Sequence, residues 1–135
     1  VAMDAAGNLY VADTNNQAIR KITSAGAVST LAGGGPTNPG FADGTGSAAR
    51  FGAPQNLAIG PAGSVYVLDQ GFNTVRLVSS AGVVTTLATA FASGATGPIS
   101  ASAFVMPAGQ TPGIGADSQG TLYLSSGCAV LKVGP

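Results

Sequence analysis

An all-β fold made of repeated, four-stranded antiparallel sheets is what this sequence predicts, and three observations carry the prediction. The chain of 135 residues repeats itself at a spacing of 56, so that Val1 stands over Leu57. Each copy is a series of short runs rich in Val, Ile, Leu and Tyr, cut by Gly-containing turns. Apolar residues make up 45% of the chain and charged residues only 7%, against roughly 25% charged in an ordinary soluble domain. A chain of this length and apolar content can bury one sizeable core.

The repeat comes first, because self-similarity sets the architecture. Residues 1–31 align without a gap on residues 57–87. Gly7 meets Gly63, Tyr10 meets Tyr66, Asp13 meets Asp69, Arg20 meets Arg76 and Gly26 meets Gly82. A third, degraded copy starts at Ile114, where Gly120, Tyr123 and Leu124 match at a spacing of 57. In that copy Ser126 replaces the Asp, and Leu131 and Lys132 stand where the Arg lay.

Each copy is expected to contain the same strands in order. The first is a short apolar run at residues 1–3, 57–59 and 114–116. It ends in a turn that begins with Asp or Pro and closes on Gly7, Gly63 or Gly120. Asp and Pro initiate such turns, and Gly supplies the positive φ that closes them. The second strand covers residues 8–12, 64–68 and 121–125. A polar turn follows at 13–16 and 69–73. The third strand, 18–23 and 74–79, alternates apolar with polar or basic residues. A Ser-Ala-Gly turn leads into the fourth strand at 28–31 and 83–88. No fourth strand is visible in the third copy. Four antiparallel strands per repeat is the pattern of a β-propeller blade.

The quoted residues resemble the NHL-repeat family of β-propellers. The match runs from Asp4 through Gly7-Asn8-Leu9-Tyr10-Val11-Ala12-Asp13 to Ile19-Arg20-Lys21-Ile22, and recurs near residue 60. The connector with Gly33-Gly34-Gly35, Phe41-Ala42-Asp43-Gly44 and Ala49-Arg50-Phe51 is similar to that family's inter-blade loop. Residues 1–88 match well and 107–135 loosely. The resemblance implies an incomplete propeller of NHL-type blades, about two and a half in number. It implies that Asp13 and Asp69 turn the chain at a strand end by accepting backbone N–H bonds. Arg20 and Arg76 would lie beside them and pair with them or with backbone carbonyls. A residue repeated in every blade is expected to serve the blade, so these four positions and Gly7, Gly63 and Gly120 are read as structural.

A single repeat array is expected, with no separate domain. Blade 1 covers about residues 1–32 and blade 2 about 54–88, with a degenerate blade 3 at about 114–135. Connectors at 33–53 and 89–113 separate them, rich in Gly, Pro, Ser and Ala. Loops of this length are functional or irregular and would lie at one rim. Phe41, Phe91 and Phe104 fall in them and are candidate interface anchors; the alternative is that they fasten the loops to the blades.

Catalytic chemistry finds little support in the residue inventory. The chain has no His, which removes His-dependent zinc sites, Ser-His-Asp triads and Cys-His pairs. It has no Glu either, and the five acidic residues are all Asp, at 4, 13, 43, 69 and 117. Propeller enzymes that resemble the family need His or Glu near the axis, so neither of their sites can be assembled from this chain alone. Dispersed Asp makes a calcium site a poor expectation. Gly33-Gly34-Gly35 and Gly113-Ile114-Gly115 precede no helix and carry no Gly-Lys-Ser/Thr, so they read as loops rather than phosphate cradles. Cys128 is alone and pairs with nothing in the chain. The expectation is no enzyme, no cofactor and no metal.

Composition narrows the partners. Net charge is zero and no basic patch exists, so nucleic acid is not expected. No apolar run approaches the roughly 20 residues of a membrane span. With few ions, the 24 Ser and Thr must cover much of the surface together with Gly and Ala. Such a neutral surface suits a secreted chain, a glycan-coated chain, or one whose faces are buried in an assembly; a piece of a larger low-charge protein is the plainer account. The sequence has no Asn-x-Ser/Thr acceptor, which leaves O-glycosylation open for glycans. Val1 has neither an initiator Met nor a leader before it, so a processed or partial product is expected.

Two functional classes follow. The first is a non-catalytic structural or interaction module, self-assembling head-to-tail into a filament or ring and placed outside the cell or at its surface. The second is a fragment of a larger propeller enzyme or sensor whose active residues lie elsewhere.

Overall fold

The computed structural model describes residues 1–89, 112–126 and 129–133. Their strands form three antiparallel sheets, taken in chain order. Blade 1 holds β1 (Ala2–Met3), β2 (Leu9–Asp13), β3 (Ala18–Ile22) and β4 (Val28–Ala32), paired in that order. Next comes β5 (Gly44–Thr45), which joins the sheet of blade 2. Blade 2 continues with β6 (Pro54–Ile59), β7 (Val65–Asp69), β8 (Thr74–Val78) and β9 (Val83–Thr89), and β5 lies outside β9. Blade 3 holds β10 (Ile114–Ala116), β11 (Leu122–Ser126) and β12 (Ala129–Val133). The fold is all-β, an incomplete propeller with no closed ring among the described residues.

The turns form for local reasons. Asp4 Oδ1 accepts the N–H groups of Ala6 and Asn8 at 3.0 and 2.9 Å, and Gly7 N–H donates to Asp4 O at 3.1 Å. Asp117 repeats the arrangement with Gln119 and Thr121, both at 2.9 Å. In blade 2 Gly60 stands at the place of Asp4 and the turn begins at the next residue, Pro61, to whose carbonyl the Ser64 hydroxyl donates at 2.7 Å. Gly7, Gly63 and Gly120 close the three turns at φ of 80°, 71° and 86°, a region costly for any residue with a Cβ.

The repeat extends to irregularities. The pairing of β3 with β4 slips between Ile19 and Arg20, leaving Leu31 as an extra residue. The pairing of β8 with β9 slips between Val75 and Arg76, leaving Leu87. The same bulge at the same repeat position means that sequence, not packing accident, sets it.

The core lies between blades rather than within one. Successive side chains of a strand point to opposite faces. In β7, Val65 and Val67 join Tyr10, Ile19, Ala32, Leu57, Ala49 and Phe51 on the side of blade 1. Tyr66 and Leu68 join Val75, Leu122 and Leu124 on the side of blade 3. Both faces of β7 are thus covered, and all five of its residues are buried. Fully burying each Val or Leu here contributes roughly 1.5–3 kcal/mol. The innermost strand of blade 2, β6, packs beside β1 and β2 on one side and β10 on the other. Thr14 Oγ1 donates to Pro54 O at 2.7 Å, and Tyr66 OH donates to Gly120 O at 3.3 Å, tying each pair of blades together.

Candidate functional site

The registers define a row of side chains across each blade. In blade 1 the row is Met3, Leu9, Ile22 and Val28. In blade 2 it is Ile59, Val65, Val78 and Val84. The two rows are the same repeat positions, and both are wholly apolar. Their surroundings differ sharply. Val65 and Val78 are 0% exposed and Val84 is 1% exposed, because blade 1 and the connector cover them. Met3 is 65% exposed and Val28 67%, with Leu9 also open. Among the described residues nothing covers the apolar row of blade 1 as blade 1 and the connector cover that of blade 2.

The next row shows how such a face is covered. In blade 2 it is Val67, Arg76 and Thr86; in blade 1 it is Val11, Arg20 and Thr30. Arg76 is wholly buried. Its Nη1 donates to Arg50 O at 3.0 Å, and its Nη2 donates to Ala42 O and to Asp43 Oδ1, each at 2.8 Å. The guanidinium lies between the rings of Phe41 and Phe51, 4.9 and 5.2 Å from their centroids. Asp43 also accepts the N–H and hydroxyl of Thr86, at 3.1 and 2.8 Å. Burial pushes the Asp43 carboxyl up, but the Thr86 and Arg76 hydrogen bonds outweigh it and hold it below the ordinary carboxylate value. Residues 41–51 thus form one lid over the outer half of blade 2.

Arg20 has different partners. Its Nε donates to Asp13 Oδ2 at 2.9 Å and its Nη1 donates to Thr30 Oγ1, and it stays partly exposed. Asp13 is held low first by the Asn16 amide and then by Arg20. Asp69, by contrast, is wholly buried and accepts the N–H groups of Gly52, Ala53 and Gly71 at 2.9, 2.7 and 3.2 Å. Arg76 lies 4.0 Å from Asp69, so its main partners are the lid rather than its neighbour in the repeat. The Asp–Arg pairs that look alike in sequence therefore do different work in the two blades.

The sequence reading missed Asp43 and Thr86 and treated residues 33–53 as a connector. The signal was present. Asp43 is the one acidic residue of that segment, and it stands between Phe41 and the strand-forming Thr45. Phe41 is partly exposed, lies against Arg76, and sits 5.6 Å from the ring of Phe72. Phe91, Phe104 and Cys128 lie outside the described residues. Among the described residues no three His, Cys, Asp or Glu side chains gather where they could hold a metal ion, and no helix is long and apolar enough to cross a membrane.

Comparison with solved structures places the fold. A structural-genomics protein of unknown function from Bacteroides thetaiotaomicron superposes with a TM-score of 0.68 at 23% identity, over 92% of this chain and 31% of that one. An auxiliary nutrient binding protein from the same organism gives 0.62 at 20% identity, over 85% and 31%. An auxiliary nutrient binding protein from Bacteroides ovatus gives 0.62 at 23% identity, over 85% and 31%. The chain spans about a third of the length of each of these structures. At such identities the likeness is one of fold. No family model and no curated protein matches the chain.

Proposed function

We propose that this chain is a non-catalytic interaction module of NHL-type blades, acting outside the cell or at its surface. One observation carries the reading. The apolar row of blade 1 is open, while the same row of blade 2 is sealed by the blade before it. An open row of this kind accepts the following face of another blade, supplied by a second copy. On the matching face of blade 3, among the described residues, Tyr123, the counterpart of Tyr66, is exposed. Face-to-row contact is head-to-tail, and it yields a ring if the rotation closes and a filament if it does not. Sedimentation equilibrium and electron microscopy of the purified chain test this. Concentration-dependent association is expected, and Met3→Lys with Val28→Lys should abolish it. A folded, strictly monomeric chain at high micromolar concentration defeats self-assembly.

A second reading has its own support. The solved structures continue well beyond the region matched by this chain, and two are named as nutrient-binding proteins. In that reading these blades are one portion of a larger propeller, and a solute is bound by residues elsewhere. The intact mass of the native protein separates the two readings.

A further inference from the structure

We infer that the Asp43–Gly44 bond is a site of spontaneous isoaspartate formation, and that the hydrogen bonds from Arg76 and Thr86 to Asp43 govern its rate. The inference stands apart from the interaction-module reading. Asp43–Gly44 is the one Asp-Gly pair in the chain. Gly has no Cβ, so its backbone turns most freely toward a preceding carboxyl group. Packing requires both residues. A Cβ on Gly44 would meet Ala48 C at 3.1 Å and Ala49 N at 3.2 Å, backbone that closes the turn at residues 46–48. Asp43 is required by the wholly buried Arg76, whose Nη2 donates to its Oδ1 at 2.8 Å. Two separate structural demands thus set a reactive pair in the lid.

The chemistry needs only water. The Gly44 nitrogen attacks Asp43 Cγ, a C–N bond forms, and the carboxyl hydroxyl leaves with the amide proton as water. Water then opens the resulting succinimide. Opening at the former main-chain carbonyl sends the chain through Cγ, one methylene longer and with no net change of mass. Attack needs a neutral carboxyl group turned back on Gly44. The fold opposes both conditions. Asp43 Oδ1 also accepts the Thr86 hydroxyl at 2.8 Å, its Oδ2 accepts the Thr86 N–H at 3.1 Å, and Gly44 is paired opposite Val84. The guard is thin, however. The Asp43 side chain is half exposed and β5 is two residues long, so local opening of the lid releases the pair. In the product the carboxylate sits directly on Cα and no longer reaches Arg76 and Thr86 with β5 in register, so the lid is lost.

Ageing the full chain at physiological temperature and mildly acidic pH tests the inference, with isoaspartate located by peptide mapping and fragmentation. A synthetic peptide with the sequence of residues 39–52 supplies the unguarded rate. Isoaspartate is expected at residue 43 of the folded chain, formed more slowly than in the peptide by about tenfold or more, the scale of one charged hydrogen bond. Arg76→Gln should recover most of that factor. Thr86→Val, a milder change on the sheet surface, should recover part of it and carries the test if Arg76→Gln does not fold by circular dichroism. Asp117–Ser118 in blade 3 serves as an internal reference and should age at the same rate in every variant. Absence of isoaspartate at residue 43 long after the peptide has reacted overturns the inference. Equal rates in the folded chain and the peptide, or rates indifferent to both substitutions, overturn it too. So does acceleration at Asp117 in step with Asp43, since general unfolding and not the release of the lid would then set the rate.

Discussion

Arg76 donates to Asp43 at 2.8 Å and so fastens the third strand of blade 2 to the segment that precedes the blade. Arg20 holds the same place in blade 1 and pairs with Asp13 at 2.9 Å, within its own blade. One arginine is wholly buried; the other keeps a third of its side chain in water. The difference in burial sets the difference in what each contributes.

Arg76→Gln should destabilise the chain by about 3 kcal/mol, the scale for removing a wholly buried, hydrogen-bonded charge that also lies 4.0 Å from the buried Asp69 carboxylate. It strands the carbonyls of Ala42 and Arg50 and loosens the lid. Arg20→Gln should cost only about 0.5 kcal/mol, as exposed pairs do. Urea unfolding of both variants measures the contrast, and equal costs would mean that the lid contributes nothing.

Asp69→Ala removes the acceptor from three backbone N–H groups at once. Leaving buried donors unsatisfied costs about 1–3 kcal/mol per group, so a loss of about 3 kcal/mol or more is expected. Asp13→Ala frees only side chains that water can reach, and about 1 kcal/mol is expected there. The midpoints of chemical unfolding should rank wild type, Asp13→Ala and Asp69→Ala in that order.

Two glycines should respond oppositely to alanine. A Cβ on Gly71 would meet Ala53 N and Gly52 C at 2.7 Å, backbone that cannot yield without moving the Asp69 network. Gly115, in β10, has nothing within 4 Å of such a Cβ. Gly71→Ala should lower the melting temperature clearly. Gly115→Ala should leave it unchanged or raise it, through the reduced entropy of the unfolded chain.

Acid should weaken the fold through four carboxylates. Asp4 is held low chiefly by the Asn8 amide, Asp13 by the Asn16 amide, and Asp117 by the Thr121 N–H. Asp43 is low because the Thr86 and Arg76 hydrogen bonds outweigh its partial desolvation. Each folded value lies below the 3.8 of the unfolded chain, so each contribution is fully present above 3.8 and disappears as pH falls through the lower, folded value. Urea midpoints measured from about pH 6 down to about pH 2 should stay level and then drop. Replacing the four with Asn should flatten the profile; an unchanged drop would assign acid sensitivity elsewhere.

Much of the fold is written locally. The Asp or Pro and the Gly of each first turn, the alternation in each third strand, and the spacing of 56 determine which residues pair and where β2, β3, β7 and β8 lie. Even the bulges at Leu31 and Leu87 repeat with the sequence. Short-range hydrogen bonding and backbone sterics act within a few residues, so they can be read from the order of residues alone.

What tertiary structure alone decided is which copy of each repeat position is buried. Val28 and Val84, Arg20 and Arg76, and Asp13 and Asp69 are the same residue types at the same places. Their environments are set by what lies beyond the blade: blade 1 and residues 41–51 on one side of blade 2, and no strand beside β4 on blade 1 among the described residues. Burial depends on contacts between segments far apart in the chain. A repeat cannot encode its neighbour, and so the difference in burial between equivalent positions of the two blades became visible only once the blades were set side by side.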